Sequence, residues 1–167
     1  MTVSSLCNDW EFTPEWSEAF AAGEAADTVP VRLPHTCRET PLHYASPADY
    51  EMVCGYRRYL SVPDAQGAPR VFLKFDGAAH QAQVYLNGIL VGSHRGGYTA
   101  FELEITDAVR RGEENLLCVR LDTREDPTLP PFGFVIDYLT YGGLYREAWL
   151  ETSSQARISD LFVHTPD

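Results

Sequence analysis

The sequence predicts an all-β fold, an antiparallel β-sandwich of the jelly-roll type. Apolar residues recur with a period of two in several short runs, turn-forming residues separate those runs, and helical periodicity is scarce. Within residues 71–76, Val71, Leu73 and Phe75 share one face while Lys74 and Asp76 lie on the other. Residues 81–87 repeat the pattern with Ala82, Val84 and Leu86 inward, and residues 101–106 and 117–122 repeat it again. Asn87-Gly88 stands between two such runs. It is the strongest short-range hairpin signal, because a type I′ turn needs φ > 0 at both central positions.

Five more strands are predicted near residues 9–12, 29–33, 56–62, 146–151 and 158–164. Helix is confined to one or two exposed turns over residues 15–22 and a short turn over 107–111 that Thr106 would cap. The chain of 167 residues suits a single domain with a real core. Domain boundaries follow the strands: residues 1–156 form the sandwich, and 157–167 begin a linker or first strand toward a following unit.

Composition bounds the function. With 44% hydrophobic and 12% aromatic residues the chain is an ordinary globular one. A net charge of −11 argues against nucleic acid or an anionic membrane as partner, since both call for a basic surface. No apolar run approaches the roughly 20 residues that cross a bilayer. Residues 1–8 lack a basic start and the next apolar residues are broken by Asp9 and Glu11, so the expected location is cytoplasmic. Cys7, Cys37, Cys54 and Cys118 are unevenly spaced without a CxxC pair, and read as reduced, mostly buried thiols.

Two long connections stand out, residues 34–54 and 123–143, the second containing Pro127, Pro130 and Pro131. Loops of this length without regular structure are uncommon unless functional or disordered, and Phe132, Phe134, Tyr138 and Tyr141 disfavour disorder. Both are expected at one end of the sandwich, forming a site. The stretch Asp137-Tyr-Leu-Thr-Tyr-Gly-Gly-Leu-Tyr-Arg146 sets a carboxylate among Tyr138, Tyr141 and Tyr145. Sugars offer C–H faces to aromatic rings and hydroxyls to a fixed acceptor, so the pattern points toward carbohydrate. Read alone, it equally describes a bent loop over a β-core.

Other candidates are weaker. His35 and Cys37, with His43 beyond, lack the further ligands at metal spacing, so no metal or other cofactor is expected. His80 and His94 read as packed, hydrogen-bonded histidines, and Arg146 as a structural ion-pair partner. Gly92, Gly96 and Gly97 do not form a phosphate cradle, and no Gly-x-Ser-x-Gly elbow occurs.

Taken in order, several local patterns resemble the N-terminal sugar-binding domain of glycoside hydrolase family 2, the β-galactosidase and β-glucuronidase family. They are Val31-Arg-Leu-Pro-His-Thr36, Gly55-Tyr-Arg-Arg-Tyr59, Phe75-Asp-Gly77 leading to Val84-Tyr-Leu-Asn-Gly88, the run from Val91 to Phe101, Asn115-Leu-Leu-Cys-Val-Arg120, and Tyr141-Gly-Gly-Leu-Tyr-Arg146. The end, Ile158 to Pro166, resembles the lead into the immunoglobulin-like domain that follows in that family. The resemblance implies a galactose-binding-domain-like jelly roll that lends loops to the active-site rim of a (β/α)₈ barrel. It also implies a substrate contact, an Asp nine residues before the Arg of the Gly-Gly-x-Tyr-Arg element, here Asp137. Tyr138 and Tyr141 are the accompanying candidates. The sequence departs from the family where Cys37 replaces a usual Trp, and residues 34–54 carry no clear family pattern.

Retaining glycoside hydrolysis needs two carboxylates about 5 Å apart. In the resembled family both lie on the barrel, the acid/base within Asn-Glu. Here Asn8, Asn87 and Asn115 are the only asparagines and none precedes a Glu. A barrel also needs roughly 250 residues. The expectation is therefore a non-catalytic domain of a β-galactosidase-like hydrolase, its partners a terminal β-linked sugar and the enzyme's own barrel. The alternatives are an autonomous carbohydrate-binding module and a purely structural or assembly sandwich.

Overall fold

The computed structural model describes residues 1–43, 46–64, 69–130, 132 and 140–165. Ten strands are present: β1 (Thr2–Ser5), β2 (Trp10–Thr13), β3 (Val29–Val31), β4 (Val53–Ser61), β5 (Arg70–Phe75), β6 (Gln81–Leu86), β7 (Ile89–Arg95), β8 (Phe101–Glu104), β9 (Glu114–Asp122) and β10 (Ala148–Ser153). They build two antiparallel sheets, one of four strands in the order β1-β10-β5-β8 and one of six in the order β3-β2-β4-β9-β6-β7. This is the expected all-β, antiparallel sandwich.

Alternation decides which face each strand buries. Val71, Leu73 and Phe75 from the small sheet meet Ala82, Val84, Leu86, Leu117, Val119 and Leu121 from the large one in a shared core, joined by Trp10, Phe12 and Tyr56. Burying one such side chain contributes about 1.5–3 kcal/mol. The hairpin between β6 and β7 turns at Asn87 (φ 53°) and Gly88 (φ 79°), both left-handed as the dipeptide predicts. The Asn87 side chain then accepts from Leu116 N at 3.0 Å and donates to Asn115 Oδ1 at 2.9 Å, tying the turn to β9.

Several expectations need correction. Residues 158–164 form no strand. They pair with nothing among the described residues and leave Ile158, Leu161, Phe162 and Val163 73–86% exposed, and an unpaired strand has no ladder to hold it. The exposed turn expected over residues 15–22 is instead the helix α1 (Glu18–Ala21), capped by Ser17 and buried at Phe20 and Ala21. It lies on the outer face of the large sheet, where Gly55 and Cys118 leave room for it. Thr106 does not cap the following turn; its hydroxyl accepts from Val71 N at 3.0 Å and so joins that turn to β5.

Candidate functional site

The two long connections converge at one end of the sandwich, as expected, and glycines are what let them meet. The backbone of residues 140–145 returns to the sheets through His35 N donating to Leu144 O (2.9 Å) and Cys37 N donating to Gly142 O (3.0 Å). Ala79 and Gly143 exchange both amide bonds, at 3.0 and 3.2 Å. A Cβ at Gly142 would overlap the Thr123 side chain and lie 3.2 Å from Cys37 Sγ. Gly143 sits at φ 140°, and a Cβ there would collide with His35 O and approach Thr36 Cα to 2.9 Å.

The other end of the second connection is fixed by Thr123. Its amide donates to Met52 O, and its hydroxyl donates to Tyr50 O at 2.7 Å and accepts from Met52 N at 2.9 Å. One threonine thus locks the close of residues 34–54 onto the start of residues 123–143. Beyond it the Tyr50 ring meets Tyr141 edge to face, centroids 5.9 Å apart. The Tyr50 hydroxyl is buried without a hydrogen-bond partner among the described residues.

Beneath this junction lie His35, Tyr56, Cys37 and Cys54. His35 Nδ1 is 2.9 Å from Tyr56 Oη, and burial lowers the imidazole pKa. Cys54 Sγ donates to Leu121 O at 3.7 Å. The influence of Cys54 holds the Cys37 thiol below its usual value, while that of Cys37, with burial adding to it, pushes Cys54 well above. All four cysteines are free and buried. No group of three His, Cys, Asp or Glu residues able to hold a metal occurs among the described residues.

A polar cleft of about 380 Å³ flanks the junction, lined by Glu51, Gln81, Asp122, Arg124, Glu125, Asp126 and Pro127. Two of its carboxylates are engaged. Asp122 accepts from Arg124 at 2.6 and 2.9 Å, and this pair lowers its pKa. Asp126 takes Arg95 (2.8 Å) and Gln81 (3.1 Å), and its pKa is lowered mainly by the Thr128 hydroxyl. Both stay ionised, as hydrogen-bond acceptors, through neutral pH.

The predicted site residues fare unequally. Asp137 and Tyr138 lie outside the described residues. Tyr141 is at the junction, 45% exposed. Tyr145 points elsewhere, donating its hydroxyl to Gly97 O. Arg146 makes no ion pair among the described residues. Its guanidinium donates instead to Tyr98 O (3.1 Å) and Asp76 O (3.3 Å), and lies over the Tyr145 ring. His80 is buried, and His94 stacks on Phe101 at 4.3 Å with its Nε2 3.1 Å from Gly96 O. Sequence reasoning missed Tyr50 and Thr123. The one available signal for Thr123 was its place as the residue after a strongly alternating strand.

The chain is thus a two-sheet antiparallel sandwich with its long connections gathered at one end beside an aromatic edge, the kind of surface on which sugar C–H faces pack. Residues 30–153 match the family model described as "Glycosyl hydrolases family 2, sugar binding domain". The chain belongs to this family. It is 37% identical over 157 residues to a β-galactosidase of Thermoanaerobacter pseudethanolicus, covering 92% of this chain and 21% of that protein. To a β-glucuronidase of Bacteroides fragilis it is 37% identical over 162 residues, 96% of this chain and 22% of the relative. The chain thus spans about a fifth of the length of these relatives. Among solved structures, Bacteroides uniformis β-glucuronidase 2 covalently bound to cyclophellitol-6-carboxylate aziridine superposes with a TM-score of 0.76 at 28% identity, over 92% of this chain and 18% of that one. Bifidobacterium dentium β-glucuronidase complexed with coumarin-3-O-glucuronide gives 0.74 at 28% identity, over 91% and 30%.

Proposed function

We propose that this chain is the non-catalytic sugar-binding domain of a retaining, β-galactosidase-like glycoside hydrolase. Its end loops form part of the rim of a (β/α)₈ active site, and Asp137 accepts hydrogen bonds from hydroxyls of the terminal β-linked sugar. The observation that supports it is the junction of the two long connections. Thr123 and Gly142-Gly143 tie the two ends of the second connection to the first. That relatives are named β-galactosidase and β-glucuronidase supports the reaction class.

On this reading the chemistry is done by two barrel carboxylates, one as acid/base and one as nucleophile. The domain holds the non-reducing sugar in register with them, and positioning alone lowers the barrier. Residues 157–167 lead into an immunoglobulin-like domain. Arg157 supports that direction: it lies 3.5 Å from the Phe72 centroid and pairs with Glu102, while the apolar side chains beyond it face outward.

The test is Asp137→Ala in the full-length enzyme, assayed on nitrophenyl β-galactoside and β-glucuronide. A hydrogen bond to a charged group is worth about 1.5–3 kcal/mol, so kcat/KM should fall roughly ten- to a hundredfold. The thermal midpoint should not move. An unchanged kcat/KM on both substrates removes Asp137 from the site.

A further inference from the structure

We infer that the gap between the two sheets, at the end of β4 away from the junction, is a binding site for a small amphiphilic carboxylate. β4 opens at Val53, opposite Asp122 and so beside Thr123, and closes at Ser61, opposite Glu114. At about 3.3 Å per residue the strand sets its two ends roughly 25 Å apart. A cleft of about 530 Å³ opens at the far end, between β4 and β1. That volume suits a small-molecule pocket. Leu6, Leu60, Val62 and Leu150 line the cleft and belong to the core, so its floor is apolar.

Register sets this cleft apart. Side chains alternate across a strand, and paired residues on neighbouring strands share a face. On β4, Tyr56 and Leu60 are core residues, so Arg58 between them projects into the same space between the sheets. Across the gap, Ser4 pairs with the core residue Leu150, and Thr2 pairs with Thr152, two positions further along β10. Thr2, Ser4 and Thr152 therefore face inward too, and all of them line the cleft with Arg58. Inward positions of a sandwich call for apolar residues. Polar residues gathered at such positions around one opening mark a site, where local pattern gives way to function.

Arg58 sets the charge of the ligand. Its guanidinium lies 5.9 Å from the Trp10 ring centroid and donates to Leu6 O (2.9 Å), Asn8 O (2.6 Å) and Tyr59 O (3.2 Å). All three acceptors are neutral carbonyls. Among the described residues Arg58 makes no ion pair, and its Nη2 donates to no group. Burial lowers its pKa and the nearby Asp9 offsets part of that effect, but a guanidinium stays charged at physiological pH. A half-buried cation without a counter-ion is stabilised by an anion, and the planar fork of Arg matches a carboxylate. An apolar chain on that carboxylate has Leu60, Val62 and Leu150 to lie on, and the Ser4 and Thr152 hydroxyls are further donors at the rim.

The experiment titrates the native full-length protein with octanoate by isothermal calorimetry, with octanol and acetate as probes that lack the charge and the chain. Octanoate should bind saturably at millimolar concentration or below, and the other two roughly tenfold or more weakly. Arg58→Met keeps the apolar stem; it should lower octanoate affinity roughly ten- to a hundredfold and leave octanol unchanged. Because Arg58 also ties the chain at Leu6 and Asn8, a second variant is needed that spares those bonds. Ser4→Phe fills the cleft from the exposed edge strand and should abolish binding with the thermal midpoint unchanged. Absence of saturation with octanoate, equal affinity for octanoate and octanol, or wild-type affinity in either variant overturns the proposal. So does competitive inhibition of nitrophenyl β-galactoside hydrolysis by octanoate, which would place the ligand in the active site instead. The comparison of the three probes on the wild-type protein decides the matter even if a variant does not fold.

Discussion

Gly142 and Gly143 do what no other residue could at their positions, and for different reasons. Gly142 has room only for a hydrogen between the Thr123 side chain and Cys37, while Gly143 combines a left-handed backbone with backbone atoms of residues 35 and 36 in the way of any Cβ. Gly112 is a useful contrast: it is also left-handed (φ 71°), but the nearest atom to a Cβ there is Asp64 Cβ at 3.6 Å, an ordinary contact. Gly112→Ala should therefore cost only the conformational strain, about 1 kcal/mol. Gly143→Ala adds the collision and should cost about 3 kcal/mol or more, since backbone cannot swing aside as a side chain can. Calorimetry of the two variants checks this. Equal melting points would mean that the junction yields more readily than its close contacts imply.

At the scale of elements, α1 shows how a helix of only four residues is held. Ser17 Oγ accepts from Phe20 N at 3.1 Å, and the buried Phe20 ring lies over Gly55, where an added Cβ would come within 2.8 Å. The Arg57 guanidinium covers the ring at 4.5 Å and is itself paired with Glu11 at 2.7 Å. A helix this short cannot persist without tertiary packing. Phe20→Ala should cost about 3–5 kcal/mol, the usual loss for a buried aromatic. Hydrogen exchange should then rise first in residues 16–24, because α1 lies outside the inter-sheet core. Exchange rising equally in β9 would show that helix and sheet unfold together. Legibility in the sequence follows the same division. Strands that bury one face were readable from alternation, since burial of that face is what spaces their apolar residues. Phe72 and Cys118 break the alternation: they are buried on outer faces by Arg157 and α1, partners remote in sequence. β1 was not readable at all, because Thr2–Ser5 is an exposed edge strand held only by pairing with β10, some 150 residues on. In the site, Gly142-Gly143 stood out locally, whereas the contacts of Tyr50 with Tyr141 and of Thr123 with Tyr50 and Met52 exist only once β4 and β9 are paired.

For the whole molecule, the balance of exposed apolar surface is uneven. The sandwich itself shows scattered apolar residues of the kind every protein carries, among them Val29, Tyr59 and Tyr98. Residues 158–163 are different, with Ile158, Leu161, Phe162 and Val163 at 81, 76, 86 and 73% exposure within six positions. Their start is not loose. The Arg157 guanidinium lies on Phe72, pairs with Glu102 and reaches Glu151 at 3.9 Å, so the segment leaves the small sheet in a fixed direction. A contiguous apolar patch beside an ordered anchor marks a surface meant to be covered. If following polypeptide covers it, as proposed above, residues 1–167 alone should self-associate through this patch despite the net charge of −11. Replacing Ile158, Leu161, Phe162 and Val163 together by Ser should then give a monomer in sedimentation velocity, with the melting point unchanged because none of the four is packed in the core. Self-association that survives the replacement would shift attention to the β7 edge, where Ile89 and Leu90 are 65 and 50% exposed. A fall in melting point would mean instead that the segment contributes to the sandwich, placing the domain boundary beyond residue 163 rather than at 156.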